Sequence, residues 1–309
     1  MARRLSLVIG ILSCGLIGSA QQPDPSLATL SNLVVVPTLV LDKRGELLRG
    51  LTIDDFEVLE DGKPMPIEAF VAPGDGNAAA EGRLVVLVLD NLVSPPELAP
   101  QVRRIATSFV KRMSAADTIS VITVSGGRSV TSDRQAELKA AIDRFRPFVG
   151  ETTRTPGELA ASGLEAIIRL SDQLGKVPHR RKVMVFIGAA SVFSPQEPSA
   201  FEDRGPSLSE RWFDAIRVTA RENVSVYAVD PVGFTGRRDD YSESFAIETG
   251  GQSFSNASNF DAAVGAIWRE AGSYYLLGYP APINDHRLHK IEVRVRKPGV
   301  RVRSRKGSG

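Results

Sequence analysis

The chain is poor in the residues that do covalent chemistry. It has one cysteine, Cys14, and three histidines in 309 residues. A single thiol cannot close a disulfide within the chain, so neither a disulfide framework nor a cysteine-based zinc site is available. There is no Gly-x-Ser-x-Gly elbow, no Gly-x-x-x-x-Gly-Lys phosphate loop and no complete dinucleotide fingerprint. No catalytic or cofactor-binding residue is therefore expected. A hydrolase built on paired carboxylates stays as an alternative, because two carboxylates need only meet in space. An excess of charge is lacking too: the net charge is +2, and Arg3 and Arg4 alone supply that amount. The rest of the chain is near neutral, which argues against a nucleic-acid partner. No apolar run reaches the roughly 20 residues of a membrane-spanning helix.

What is present at the start reads as a leader. Arg3-Arg4 is followed by an apolar stretch over residues 5–17 and then by Gly18-Ser19-Ala20. A basic region, a short apolar region and small residues at the end make a secretory signal peptide, with cleavage expected after Ala20. A secreted or periplasmic protein is the expectation; an uncleaved anchor or a buried helix is the alternative. Ile11-Leu12-Ser13-Cys14 resembles a lipobox, which would make Cys14 a lipidation site. Apolar residues 15–17 continue past it, however, whereas a lipobox cysteine closes the apolar region. Residues 21–32 read as a disordered segment or linker.

Residues 33–72 are patterned for strands, at 33–41, 56–60 and 66–70, with turn signals at Asp42-Lys43-Arg44-Gly45 and Asp61-Gly62. A linker of low complexity covers 73–82. The period then changes. Apolar runs at 84–89, 118–124, 183–187 and 224–229 read as buried parallel strands. Between and after them lie helical patterns. One follows Pro95-Pro96 and carries Val102, Ile105, Ala106, Phe109 and Val110; one is capped by Asp133 and carries Leu138, Ile142 and Phe145. Others cover 158–174, 208–221, 242–249 and 260–271. The alternation predicts an α/β domain over 83–272, with a mostly parallel sheet flanked by helices. Residues 273–306 return to β, with strands at 274–279 and 289–296 and a continuation through Val300 and Val302. In the second of these, Ile291, Val293 and Val295 alternate with Glu292, Arg294 and Arg296. Neither β segment can bury a core by itself. The economical arrangement packs them together as a small β-sandwich with the α/β domain inserted between; two separate β appendages are the alternative.

The α/β pattern over about 84–272 resembles a von Willebrand factor A (VWA) domain, a Rossmann-like fold used for adhesion. The flanks, LVLDKRGELLRGLTIDDFEVLEDGKPMPIEAF from Leu39 and SYYLLGYPAP with HKIEVRVRKPGVRVRSRKG from Ser273, resemble the bracketing segments of the bacterial VWFA-related family of acidobacterial type. The resemblance implies an exported binding module. It also implies a metal-ion-dependent adhesion site built from an Asp-x-Ser-x-Ser loop, a threonine from a second loop and an aspartate after the fourth strand, which would hold Mg²⁺ through hard oxygen ligands. Here the first loop is Asp90-Asn91-Leu92-Val93-Ser94, with Leu92 in place of the middle serine. Gly157 stands at the threonine position, with Thr155 two residues away, and Ile187-Gly188-Ala189-Ala190-Ser191 lacks the second aspartate. Asp90, Ser94 and Thr155 are thus the candidate metal ligands of a degenerate site. The bland reading of Asp90 is a helix cap or an acceptor for loop amides. No cofactor is expected, Mg²⁺ at this remnant being the alternative.

Two other clusters receive bland readings. His286 and His289 lack further zinc ligands nearby beyond Asp285, and His179 beside Arg180-Arg181 reads as a surface residue. The basic stretch 287–306 alternates with Ile and Val, as the solvent face of an edge strand does, rather than forming a phosphate-binding patch. The expected function is protein binding through loops 90–96, 152–157 and 188–194, to an unknown partner in the envelope or outside the cell. A cell-envelope scaffold without a dedicated site is the second reading.

Overall fold

The computed structural model describes residues 33–74, 82–127, 129–148, 154–177, 181–195, 206–231, 240–255, 260–280 and 288–308. The leader, the segment 21–32, His179 and His286 lie outside the described residues. In chain order the first strands are β1 (Leu33–Leu41), β2 (Phe56–Glu60), β3 (Lys63–Met65) and β4 (Ala69–Val71). The central elements are β5 (Arg83–Leu89), α1 (Ala99–Arg112), β6 (Thr118–Thr123), β7 (Val130–Ser132), α2 (Gln135–Asp143), α3 (Pro156–Gly175), β8 (Arg181–Ile187), α4 (Leu208–Arg221), β9 (Val224–Val229), α5 (Asp240–Glu248), β10 (Ser253–Phe254) and α6 (Phe260–Gly272). The chain closes with β11 (Tyr275–Pro280), β12 (His289–Val295), β13 (Arg301–Ser304) and β14 (Gly307–Ser308).

The central sheet has the order β10-β9-β8-β5-β6-β7, parallel throughout except for β7. Counted from β5, this is the Rossmann order, whose direction of winding reverses between β5 and β8. The apolar runs are continuous because each strand feeds two layers. Val85, Leu87 and Leu89 face Ile105, Phe109, Val264 and Trp268, whereas Val86 and Val88 lie with Leu164, Ile167, Ala215 and Ile216. Local signals start the helices: Thr155 with Glu158 forms a capping box on α3, and Ser207 with Glu210 forms another on α4. Asp133 does not cap α2, contrary to expectation. That helix starts later, after Arg134, and the Ser132 hydroxyl at the end of β7 accepts from the Arg134 amide (3.0 Å) and donates to Glu137 (2.7 Å).

The two β flanks form one sandwich. Its sheets run β13-β1-β11-β4 and β14-β12-β2-β3, so each mixes strands from before and after the α/β domain. Val36, Val40, Tyr275, Leu277 and Tyr279 of the first pack against Phe56, Val58, Ile291 and Val293 of the second. The Phe56 and Tyr275 rings lie 5.0 Å apart. The single strand expected at 66–70 is corrected: β3 and β4 are separate and lie in different sheets. Pro64 and Pro66 cannot donate to a ladder, so the chain leaves one sheet there before joining the other. The β2–β3 hairpin turns on Asp61 (φ 49°) and Gly62 (φ 78°), the pair of positive φ angles that a tight twisted hairpin requires.

The sandwich sits at the amino-terminal edge of the central sheet, where β5 begins and α6 ends. Residues 303–307 tie it down. Arg303 pairs with Glu270 of α6, the Lys306 amide donates to the Glu248 carbonyl (3.2 Å), and the Arg305 guanidinium donates to the Ala220 carbonyl near the end of α4. Arg305 is buried, which corrects the expectation that the basic stretch is uniformly solvent-facing. Burial pulls its pKa down to about 10 against the opposing influence of Tyr279 and Glu60.

Candidate functional site

At the carboxyl edge, β5 runs straight into Asp90, whose side chain is fully buried. A carboxylate removed from water is costly unless its lone pairs are satisfied. Here all of them are. Oδ1 accepts from the amides of Leu92 and Val93 (both 2.9 Å), and Oδ2 accepts from the Ser94 hydroxyl (2.8 Å) and the Ala189 amide (3.2 Å). A carboxylate offers about four lone-pair positions, so the protein itself fills them. Three of these bonds shape the loop after β5. The fourth crosses to the loop after β8, at the point where the winding of the sheet reverses.

Gly188 makes that crossing sterically possible. A Cβ at this position would lie 2.1 Å from the Cβ of Asp90, so the aspartate side chain occupies the space that a residue 188 side chain would need. The loop beyond is anchored by its apolar residues. Val192 and Phe193 are buried in the 3-10 turn Ala190–Phe193, with the Phe193 ring 5.1 Å from Phe186 and 5.1 Å from Phe245.

Of the three candidate ligands, the structure brings two together. Asp90 and Ser94 are hydrogen-bonded to each other, whereas Thr155 is engaged in its own helix start. The Thr155 hydroxyl accepts from the Glu158 amide (3.2 Å), and the Thr155 amide donates to the Glu158 carboxylate (2.8 Å). Leu92 packs against the apolar layer between the sheet and α3, so it does not project from the loop as an ion-facing side chain. Thr152 lies outside the described residues. Among the described residues no three His, Cys, Asp or Glu side chains cluster as a metal site. His289 instead meets Asp61, a carboxylate distant in sequence, at 2.8 Å; this hydrogen bond and one from the Lys290 amide hold the Asp61 pKa below its usual value.

Sequence reasoning missed the second brace of this edge. The Asn91 amide group donates to the Ser125 hydroxyl (2.7 Å) and accepts from the Ser125 amide (3.1 Å), while the Asn91 carbonyl accepts from the Phe148 amide (2.8 Å). The loops after β5, β6, α2 and β8 are thereby joined through two consecutive residues, Asp90 and Asn91. Only the polar type of Asn91 signals this; its partners are 34 and 57 positions away, read from 91 against 125 and 148.

No protein-family model and no curated protein matches the chain. Among solved structures it is similar to an aerotolerance-related membrane protein of Bacteroides fragilis, at 15% identity and TM-score 0.43, over 62% of this chain and 98% of that one. It is similar to BatB of Bacteroides thetaiotaomicron, a conserved hypothetical protein, at 16% identity and TM-score 0.39, over 62% and 100%. A third is the manganese-loaded TRAP protein of Plasmodium vivax, at 9% identity and TM-score 0.38, over 82% and 97%. On its own strand order, the α/β domain is Rossmann-like with an antiparallel edge strand. Among the described residues no helix is long and apolar enough to cross a membrane.

Proposed function

We propose that this chain is an exported, non-enzymatic module that binds another protein through the loops at the carboxyl edge of its central sheet, without a metal. One observation carries the reading. The sandwich packs on the amino-terminal edge, through Arg303, Arg305 and Lys306, and leaves the braced loops at the winding reversal as the presented face. Export rests on the leader pattern of residues 1–20.

Metal independence rests on chemistry. The residues present do not fit a Mg²⁺ adhesion site. Asp90 has its acceptor positions filled by protein donors, Leu92 replaces an oxygen ligand, and Gly188 cannot be exchanged for an aspartate without displacing Asp90. Octahedral Mg²⁺ needs oxygen ligands that are free to turn toward it.

Photo-crosslinking in the native envelope tests the binding face. A benzophenone side chain at Pro96, an exposed residue of the first loop, is expected to trap one discrete protein, and the same probe at Arg294 on the sandwich none. Adducts of equal yield from both positions, or a diffuse smear from each, would replace the module by an envelope scaffold. Metal independence is tested by thermal unfolding with Mg²⁺, Mn²⁺ or Ca²⁺ against chelator. No shift is expected; a shift abolished by Asp90→Ala would restore the metal site. A ligand binding only the folded state at a hundredfold excess over its Kd raises stability by about 2.7 kcal/mol, well within reach of that measurement.

A further inference from the structure

One corner of the carboxyl edge carries more information about the partner than the rest. The segment Arg144-Phe145-Arg146-Pro147-Phe148 follows α2 and ends against the Asn91 loop. Phe145 and Pro147 are buried, whereas Arg144, Arg146 and Phe148 face water. Phe148 is 56% exposed, the highest value among the large apolar side chains exposed in the described residues. It is nonetheless fixed at its backbone, because its amide donates to the Asn91 carbonyl (2.8 Å). An aromatic ring left in water on a braced backbone gains nothing for folding.

Arginines stand just before it in the segment, and two guanidinium groups meet on the Phe145 carbonyl. Arg103 of α1 and Arg146 both donate through Nη1 to the Phe145 carbonyl, at 3.0 and 2.8 Å. Arg146 also reaches the Asp143 carbonyl (2.7 Å). These bonds hold two guanidinium groups beside each other, and each carries five N–H groups, most of which bond nothing among the described residues. Among the described residues, none of Arg103, Arg144 and Arg146 has a carboxylate partner, while nearby Asp143 is held by Lys139 (2.6 Å). Arg83, Arg211, Arg217 and Arg303 are paired with carboxylates, whereas Arg104, Arg169 and Arg269 share the lack of one among the described residues. What sets the corner apart is the shared carbonyl beside an exposed ring. The segment is positive, with its Arg146 and the neighbouring Arg103 held in place and an exposed ring at its end.

Resting on the binding reading above, we propose that this corner takes an acidic segment of the partner protein, with an apolar side chain set against Phe148 and flanking carboxylates on Arg103, Arg144 and Arg146. Guanidinium forks accept carboxylates in two-point contact, and aromatic and arginine side chains dominate the energetics of protein interfaces. Single-stranded nucleic acid also uses arginine with an aromatic ring, but it needs a platform for successive bases. Phe148 is the one exposed ring among the described residues of this corner.

The test uses the purified protein and a fluorescein-labelled octapeptide of alternating glutamate and phenylalanine, read by anisotropy. Saturable binding is expected, weakening as salt is raised. Phe148→Ser and the double variant Arg144→Glu with Arg146→Glu are each expected to weaken it about tenfold or more. Arg269→Glu, an exposed arginine on α6, is expected to leave it unchanged. Because Arg146 also bonds backbone, Arg144→Glu alone is run beside it and is expected to lower affinity with no change in thermal unfolding. The proposal is overturned if the peptide does not bind, if a lysine–phenylalanine peptide binds as well, if the variants bind like the parent, or if oligothymidylate binds more tightly. If the peptide fails while the Pro96 crosslink still forms, the corner falls and the carboxyl-edge reading stands; if both fail, both fall.

Discussion

Among the described residues the central sheet buries one aspartate at each edge; both accept from amides and a hydroxyl, and one of the two adds a cation. Asp117, at the amino-terminal edge, meets a cation. Arg83 donates Nε to Oδ1 (2.8 Å) and Nη2 to Oδ2 (2.9 Å), lies 4.3 Å above the Trp268 ring and anchors the start of β5. Asp90, at the carboxyl edge, meets only amides and one hydroxyl. The cationic arrangement holds two elements at fixed distance through charge. The neutral one dictates the path of a loop and attaches it to its neighbour. Strength is placed where the sandwich joins, and shape is placed where a partner would dock.

The comparison is most easily broken at the charged edge. Arg83→Met leaves the Asp117 carboxylate buried without its cation and removes the stack on Trp268. Loss of one member of a buried pair costs about 3–5 kcal/mol, so urea denaturation should show a drop of about 4 kcal/mol. At the other edge, Asp90→Ala strips acceptors from three amides and a hydroxyl. A loss of about 3 kcal/mol is expected, together with chemical-shift changes spreading from residues 91–94 to Ala189. A loss confined to residues 91–94 would show that the link to the β8 loop carries no energy.

Acid sharpens the contrast. Burial raises the Asp117 pKa, but hydrogen bonds from Arg83 and Ser114 outweigh it and hold the value at about 2, below the ordinary 3.8. A depressed folded-state value means that the stabilisation is complete above the unfolded value of 3.8 and is lost as pH falls through about 2. The difference amounts to about 2 kcal/mol. Asp117→Asn should flatten this part of the curve of urea midpoint against pH, whereas an unchanged slope would remove the pair from the acid response. The smallest effect is expected from Asn91→Ala, about 1 kcal/mol, with faster hydrogen exchange at the Ser125 amide and unchanged exchange along β5.

The parts legible in the sequence are those set by local pattern. The helix Leu208–Arg221 and the strand Val224–Val229 are found at their expected bounds, because amphipathic spacing over four turns marks the first and a short run rich in valine, with one tyrosine, marks the second. The sandwich follows from the poverty of each flank alone. The strands Val130–Ser132, Ser253–Phe254 and Gly307–Ser308 were not legible, since two or three residues carry no period. The site divides similarly. Asp90 as an acceptor for its own loop amides was legible, but Ser94 was legible only as a metal position shared with Asp90 and not as its hydroxyl donor. The contacts of Asp90 with Ala189 and of Asn91 with Ser125 arise from sheet order, which no single stretch of sequence records.

The insertion of one domain within another also sets an order of assembly. β1 pairs Leu33 with Pro280 and Thr38 with Ser304, contacts whose closure must wait for almost the whole chain. The central sheet needs only the chain from β5 to β10, and its contacts are closer in sequence, which favours their earlier formation. Pulse-labelled hydrogen exchange during refolding should therefore protect the amides of β5 and β8 before those of β1. Until then β1 is a bare apolar ribbon, and the central domain must form while its own foundation is still in pieces.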